Sequence, residues 1–176
     1  MKTLRFFLCI LFQLVIGAVL LSSCEKSNIP NYLMIPLQIE ASDNSEIEFK
    51  DLEASIGGTN FGQKEVEETL CVWAHTGGTW NEGYYVFAAD FFISKISVGN
   101  EIVPVLVSFQ KVGPNIEVGY GGALKYSSGK IYLKEYTEKI ATLAFDNVVF
   151  ETKIANYTLN GYLTFPFGKS WGGSVK

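Results

Sequence analysis

The sequence predicts a mainly β domain, built as an antiparallel β-sandwich or a partly open β-barrel. Three observations point there. Several segments alternate apolar and polar residues with period two, the mark of a strand with one buried face. Clusters of Gly, Pro, Asn, Asp and Ser separate these segments at hairpin spacing, which implies antiparallel pairing. Aromatic residues make up 14% of the chain and 17 residues are glycine, a composition suited to strands joined by many turns. About seven to nine strands are expected, packed or curled so that long edges are not left bare.

Taken in order, Leu33, Ile35, Leu37 and Ile39 alternate with Met34, Pro36 and Gln38, and Ile47 and Phe49 alternate with Glu46, Glu48 and Lys50. The turn cluster Ser42-Asp43-Asn44-Ser45 between them predicts a hairpin. Pro36 has no backbone donor, so the first strand lies at an edge or starts there. Gly57-Gly58-Thr59-Asn60-Phe61-Gly62 reads as loop. Residues 63–75 fit a short helix slightly better than a strand. Val66, Leu70, Trp73 and Ala74 share a helical face, with Glu65, Glu67 and Glu68 near its start and His75 near its end. Thr79-Trp80-Asn81-Glu82-Gly83 is a turn, and Tyr84–Ile93 a strand whose residues Tyr85, Phe87, Ala89, Phe91 and Ile93 form an apolar face.

Ile102–Phe109 is a further strand, with Val103, Val105, Val107 and Phe109 inward. Gly113-Pro114-Asn115, Tyr120-Gly121-Gly122 and Ser127-Ser128-Gly129-Lys130 punctuate the next stretch of chain. Three strands end the domain: Ile131–Tyr136, Ile140–Phe150 and Tyr157–Phe165. In the middle one Ala141, Leu143 and Phe145 share a parity that Val148 and Phe150 do not, so a bulge is expected near Asp146-Asn147. Across residues 120–167 this strand pattern resembles the one closing many small lipoproteins of the Bacteroidota phylum, mostly of unknown function, with β-sandwich or calycin-like domains. That resemblance implies fold and not function.

The N-terminus carries a separate message. Lys2 and Arg5 precede an apolar run from Phe6 to Leu21, and Leu21-Ser22-Ser23-Cys24 closes it. This is a charged n-region, an apolar h-region and a small-residue processing site. The run is shorter than the roughly 20 residues needed to cross a bilayer. The pattern resembles the lipobox of bacterial lipoproteins cleaved by the type II signal peptidase. The resemblance implies that residues 1–23 are a signal peptide and that Cys24 becomes the lipidated N-terminus, carrying palmitate-type acyl chains. It also implies a cell-envelope protein whose partner is the membrane; Glu25, in place of Asp, favours the outer membrane over the inner, and the periplasmic or surface face is left open. Two or more acyl chains hold a protein stably. Residues 24–31 read as a tether of roughly 27 Å at most, 32–170 as a single β domain and 171–176 as a C-terminal tail.

Removing residues 1–23 from 176 leaves 153, the size of one domain able to bury its own core. Of 14 basic residues Lys2 and Arg5 leave with the leader, so 12 face 18 acidic ones, a net charge of −6. Such acidity argues against nucleic acid, whose phosphates require positive surface. With Cys24 lipidated, Cys71 has no disulfide partner and is expected to be buried.

No catalytic motif stands out. Cys71 and His75 are neighbours only if they lie on a helix; on a strand they are about 13 Å apart, and no oxyanion motif accompanies them. One histidine and one free thiol give no spaced metal-ligand set. Asp43-Asn44-Ser45-Glu46 lacks the glycine and distal glutamate of a calcium loop. No cofactor is implied. Glu82, Asp90, Asp146 and Glu151 are carboxylates whose pairing for glycoside hydrolysis the sequence does not establish, and Asn156-Tyr157-Thr158 reads as a strand start despite its sequon form. The segment from Trp73 to Tyr85 is richer: Trp73, His75, Trp80, Asn81, Glu82, Tyr84 and Tyr85 combine aromatic faces with amide and carboxylate groups. This mixture suits a sugar, whose CH faces stack and whose hydroxyls seek polar partners. The competing expectation is that Trp73 and Tyr85 are core and Trp80 caps one end. Trp171 is expected to plug the base of the domain or to belong to the tail. The composition thus points to a non-catalytic binding module for a glycan or small apolar ligand, with an accessory protein docking another envelope protein second and a hydrolase third.

Overall fold

The computed structural model describes residues 27–59, 67–79, 81–113, 123–151 and 155–168. Among the described residues nine strands run in chain order: β1 (Gln38–Ala41), β2 (Asp51–Thr59), β3 (Glu67–His75), β4 (Tyr84–Phe92), β5 (Glu101–Ile102), β6 (Leu106–Val112), β7 (Ala123–Tyr136), β8 (Ile140–Glu151) and β9 (Asn156–Pro166). They pair antiparallel in the order β1-β9-β8-β7-β6-β4-β3-β2, with β5 added on β7. Two antiparallel sheets pack face to face. The first holds β1, β9, β8, β7 and β5, and the second holds β2, β3, β4 and β6.

The sheets share β7. Its start pairs with β6 at Phe109↔Leu124 and Gln110↔Ala123, and the rest of it pairs with β8. A strand that serves both sheets must bend, and the register slips between Tyr126 and Ser128 and again between Ser128 and Lys130. Gly129 sits in this corner at φ +104°, with the Asn147 carbonyl where a β-carbon would stand. On β8 the register slips between Phe145 and Val148, and Asn147 has φ +49°. The expected bulge at Asp146-Asn147 is therefore present. Ser127–Lys130, expected as a turn, is the matching bulge inside one long strand. At the far side Ala54 meets Phe167 in an isolated parallel bridge. Among the described residues the ladders do not close into a barrel, and the architecture is an open sandwich.

Between the sheets lie Phe87, Phe91, Phe109, Phe145, Phe150 and Phe165, all fully buried. Their rings interlock, with Phe87 edge-on to Phe145 and Phe109 against Phe150, both at 5.4 Å between centroids. The inward face of β4 is Tyr85, Phe87, Ala89 and Phe91, as the alternation predicts; Ile93 instead opens a 3-10 turn. β8 and β9 also match their expected spans closely.

Other expectations are corrected. Residues 67–75 are a strand, not a helix, laddered to β2 on one side and β4 on the other. Leu70, Val72 and Ala74 face the core while Trp73 faces out. Trp73 and Ala74, which share a helical face, thus lie on opposite faces of the sheet. Gly57–Thr59 belong to β2 rather than to a loop. β1 pairs with β9 and not with residues 46–50, so the expected hairpin does not form. The turn itself is real: Asn44 N–H donates to the Ala41 carbonyl at 3.0 Å and has φ +58°. β1 is an edge strand, one of the two outcomes expected from Pro36, and it begins after Pro36, at Gln38. The strand expected over 102–109 breaks at Pro104, leaving Val103 78% exposed while Phe109 stays in the core.

Residues 27–35, which include part of the expected tether, cross the outer face of the first sheet. Asn28 N–H donates to the Gly99 carbonyl at 2.8 Å. Ile29 and the fully buried Leu33 pack on Tyr132 and Ala144 in a second apolar cluster. Burying each such side chain contributes about 1.5–3 kcal/mol. Among the described residues no helix is long and apolar enough to cross a membrane.

Candidate functional site

The β2–β3–β4 ladder fixes which side chains share a surface. Asp51 stands opposite His75, Glu53 opposite Trp73, Trp73 opposite Ala88, and His75 opposite Val86. Because alternate residues of a strand point to opposite faces, Asp51, Glu53, Trp73, His75 and Tyr84 all lie on the outer face of the second sheet. Trp73 is 39% exposed, a large aromatic left in solvent on an open sheet face.

Its neighbours hold it in place. The His75 ring meets the Trp73 ring edge-on at 4.5 Å, and Tyr84 lies 6.1 Å beyond His75. His75 is itself held from both nitrogens. Nδ1 accepts the Gly77 N–H at 2.8 Å, and Nε2 lies 3.3 Å from Asp51 Oδ2. An accepting Nδ1 assigns the proton to Nε2, the nitrogen that lies beside the carboxylate. Both nitrogens are thereby engaged, and the imidazole serves as a fixed wall beside Trp73. Small residues, Ala88 and Ser55, keep the platform low around the indole.

The other expected site residues are dispersed. Tyr85 is a core residue, stacked on Phe109 at 5.7 Å, and its hydroxyl donates to Ser45 Oγ at 3.1 Å. Glu82 belongs to the β3–β4 turn, where Oε2 accepts from Thr79 N–H at 3.1 Å and Thr79 Oγ1 at 3.0 Å. Asn81 is exposed in that same turn. Trp80, Cys24 and Trp171 lie outside the described residues. Of the two aromatics expected as core, Tyr85 is core and Trp73 is surface. Asp51 and Glu53 are the site residues that sequence reasoning missed. Their alternation with Leu52 and Ala54 is a strand signal that would have placed them.

Cys71 lies on β3 two residues from Trp73 and four from His75. Strand geometry puts Cys71 and His75 about 13 Å apart at their Cα atoms, so no thiol–imidazole dyad forms. Cys71 is partly buried rather than fully enclosed. Burial pushes its thiol above the ordinary value, and Asp90 opposite adds to the shift against a hydrogen bond from Thr69. The described residues contain no cluster of three or more His, Cys, Asp or Glu suited to a metal ion.

One cleft of about 360 Å³ opens on the inner side of β2, between it and β9. Leu37, Ile47, Phe49, Leu52 and Leu163 line it with Glu48 at its rim. It does not communicate with the Trp73 face, because Leu52 and Glu53 point to opposite sides of β2. No family model matches the chain, and neither a curated protein nor a solved structure does.

Proposed function

We propose that the chain is an envelope lipoprotein, lipidated at Cys24, whose domain is a non-catalytic binding module for a glycan. The observation that carries the glycan reading is Trp73 standing exposed on the outer sheet face, edge-on to His75 and opposite Glu53 in the ladder. A pyranose ring offers an apolar CH face to an indole and hydroxyls to carboxylates around it. Asp51, Glu53 and Tyr84 are the polar residues that share this face with Trp73 by register. The anchor reading is supported by the leader and the Leu21-Ser22-Ser23-Cys24 pattern.

Calorimetric titration of the domain with a polysaccharide panel tests the glycan reading. At least one polysaccharide should bind, and Trp73→Ala should weaken that binding at least tenfold, about 1.4 kcal/mol. Binding that Trp73→Ala leaves unchanged, or no binding across the panel, overturns it. A second reading, an accessory protein docking another envelope protein, is favoured by Val103 and Leu106, which stand 78% and 51% exposed around the β5–β6 connection. Pull-down of the anchored protein with a stoichiometric partner that Val103→Ser releases would support that reading instead.

A further inference from the structure

Eight large hydrophobic side chains stand exposed among the described residues, and three of them, Tyr32, Met34 and Ile35, fall within four residues on the segment crossing the first sheet; Val98 stands beside Gly99, to which Asn28 at the start of that segment is bonded. Exposed apolar side chains gathered in this way mark a contact surface rather than scatter. Position along the chain says what covers it. Asn28 is pinned by its N–H to the Gly99 carbonyl at 2.8 Å and by its side-chain amide to Asn100 Oδ1 at 2.6 Å. Four residues separate it from Cys24, a reach of about 14 Å at full extension. A headgroup layer is roughly 5–8 Å deep on each side of the hydrocarbon, so about half of that reach lies within the headgroups. A domain of this length has a radius of gyration near 15 Å, too broad for so short a link to let it roll over.

We infer that the outer face of the first sheet lies against the lipid headgroups, with Tyr32, Met34 and Ile35 at the interface, and that the Trp73 face of the second sheet is held on the side away from the membrane. The inference rests on lipidation at Cys24 and deepens the binding reading, because it fixes which way the glycan platform points. The chemistry of the face agrees. Tyr32 is 61% exposed while its hydroxyl donates to Asp146 Oδ1 at 2.9 Å, an aromatic with one polar end, as interfacial aromatics are. Next to the segment, Lys134 holds its ammonium 3.8 Å over the Tyr162 ring, and Tyr162 N–H donates to the Ile35 carbonyl at 2.9 Å. That ammonium is placed to meet a lipid phosphate.

The test uses the full lipidated chain in vesicles of phosphatidylethanolamine and phosphatidylglycerol. In a Cys71→Ser background a polarity-sensitive dye is placed at Met34→Cys or at Ser55→Cys, which lies on the Trp73 face. The dye at 34 should shift to the blue and lose at least half its emission when the acyl chains are brominated, while the dye at 55 stays in water. Hydrogen exchange of the unsubstituted lipidated protein gives an independent reading: amides of 31–35 should slow severalfold against the Cys24→Ala form in solution, and amides of 69–75 should not. Co-sedimentation with vesicles separates the two claims. If the lipidated chain sediments with vesicles but position 34 stays in water, or position 55 is quenched instead, the orientation is wrong and the anchor stands. If Cys24→Ala sediments as well as wild type, the anchor reading fails and the orientation falls with it.

Discussion

Replacing Gly129 by alanine should damage this domain severely. Gly129 lies at φ +104°, where an L side chain is strained, and its missing β-carbon is occupied by the backbone carbonyl of Asn147 on the neighbouring strand. The left-handed conformation costs a non-glycine residue about 1–2 kcal/mol. Overpacking against a group that cannot rotate away adds about 1–3 kcal/mol. The total, about 2–5 kcal/mol, is a large fraction of the about 5–15 kcal/mol that holds a domain folded, and at about 2–4 °C per kcal/mol it lowers Tm by roughly 10 °C. Gly57→Ala is the control. It lies inside β2 without a positive φ, and its β-carbon would meet only Cys71 Sγ at 3.4 Å and Thr69 Oγ1 at 3.6 Å. Urea unfolding followed by tryptophan fluorescence measures both. If Gly129→Ala stays within about 0.5 kcal/mol of wild type, like an ordinary surface change, the corner in β7 is not what joins the two sheets.

Phe109→Ala should lose about 3–5 kcal/mol in the same assay, because the ring is fully buried against Phe150, Tyr85 and Tyr157. The Cys71 thiol, raised by burial, should react with a thiol reagent many times more slowly at neutral pH in the folded than in the unfolded protein, and faster as the pH rises. Burial opposes ionisation of Asp43, but hydrogen bonds from Ser45 and Tyr157 outweigh it and hold the carboxyl below its usual range. A depressed carboxylate stabilises the fold above the unfolded value and loses that contribution as pH falls through the folded one. Tm measured downward from about pH 5 should therefore fall less steeply below about pH 4 in Asp43→Asn than in wild type.

How much was legible depended on burial. β4, β8 and β9 bury one face along their length, so hydrophobic alternation reports them directly, down to the parity switch at Asp146-Asn147. β3 does not: its outer face carries Trp73, which breaks the alternation and completes a helical stripe with Leu70 and Ala74. The glutamates before it and the histidine at its end then imitate helix termini. In β7 the bulge residues Ser-Ser-Gly have the composition of a turn, and only the pairing with β8 shows that the chain continues through the bend as one strand. The pairing of β1 with β9, far apart in sequence, left no local trace either.

The candidate site divides along the same line. Trp73, His75 and Tyr84 were legible by residue type, since aromatics beside polar groups stand out in any chain. Their common face was not legible, because it depends on the β2–β3 register that brings Asp51 to His75 and Glu53 to Trp73. Tyr85 and Glu82 belong to the same stretch of sequence yet serve the core and a turn. Proximity along the chain gathered these residues, and the pleat put Trp73, His75 and Tyr84 on one face and Tyr85 on the other.

The sugar platform stands or falls on a comparison of wild type and Trp73→Ala for glycan binding, with unfolding measured alongside. Trp73 is on the surface, so the variant should keep its stability to within about 1 kcal/mol and lose at least tenfold in affinity for the polysaccharide that wild type binds. Equal affinity in the two proteins would contradict the reading of this face as a sugar platform. So would a loss of affinity that merely tracks a loss of fold.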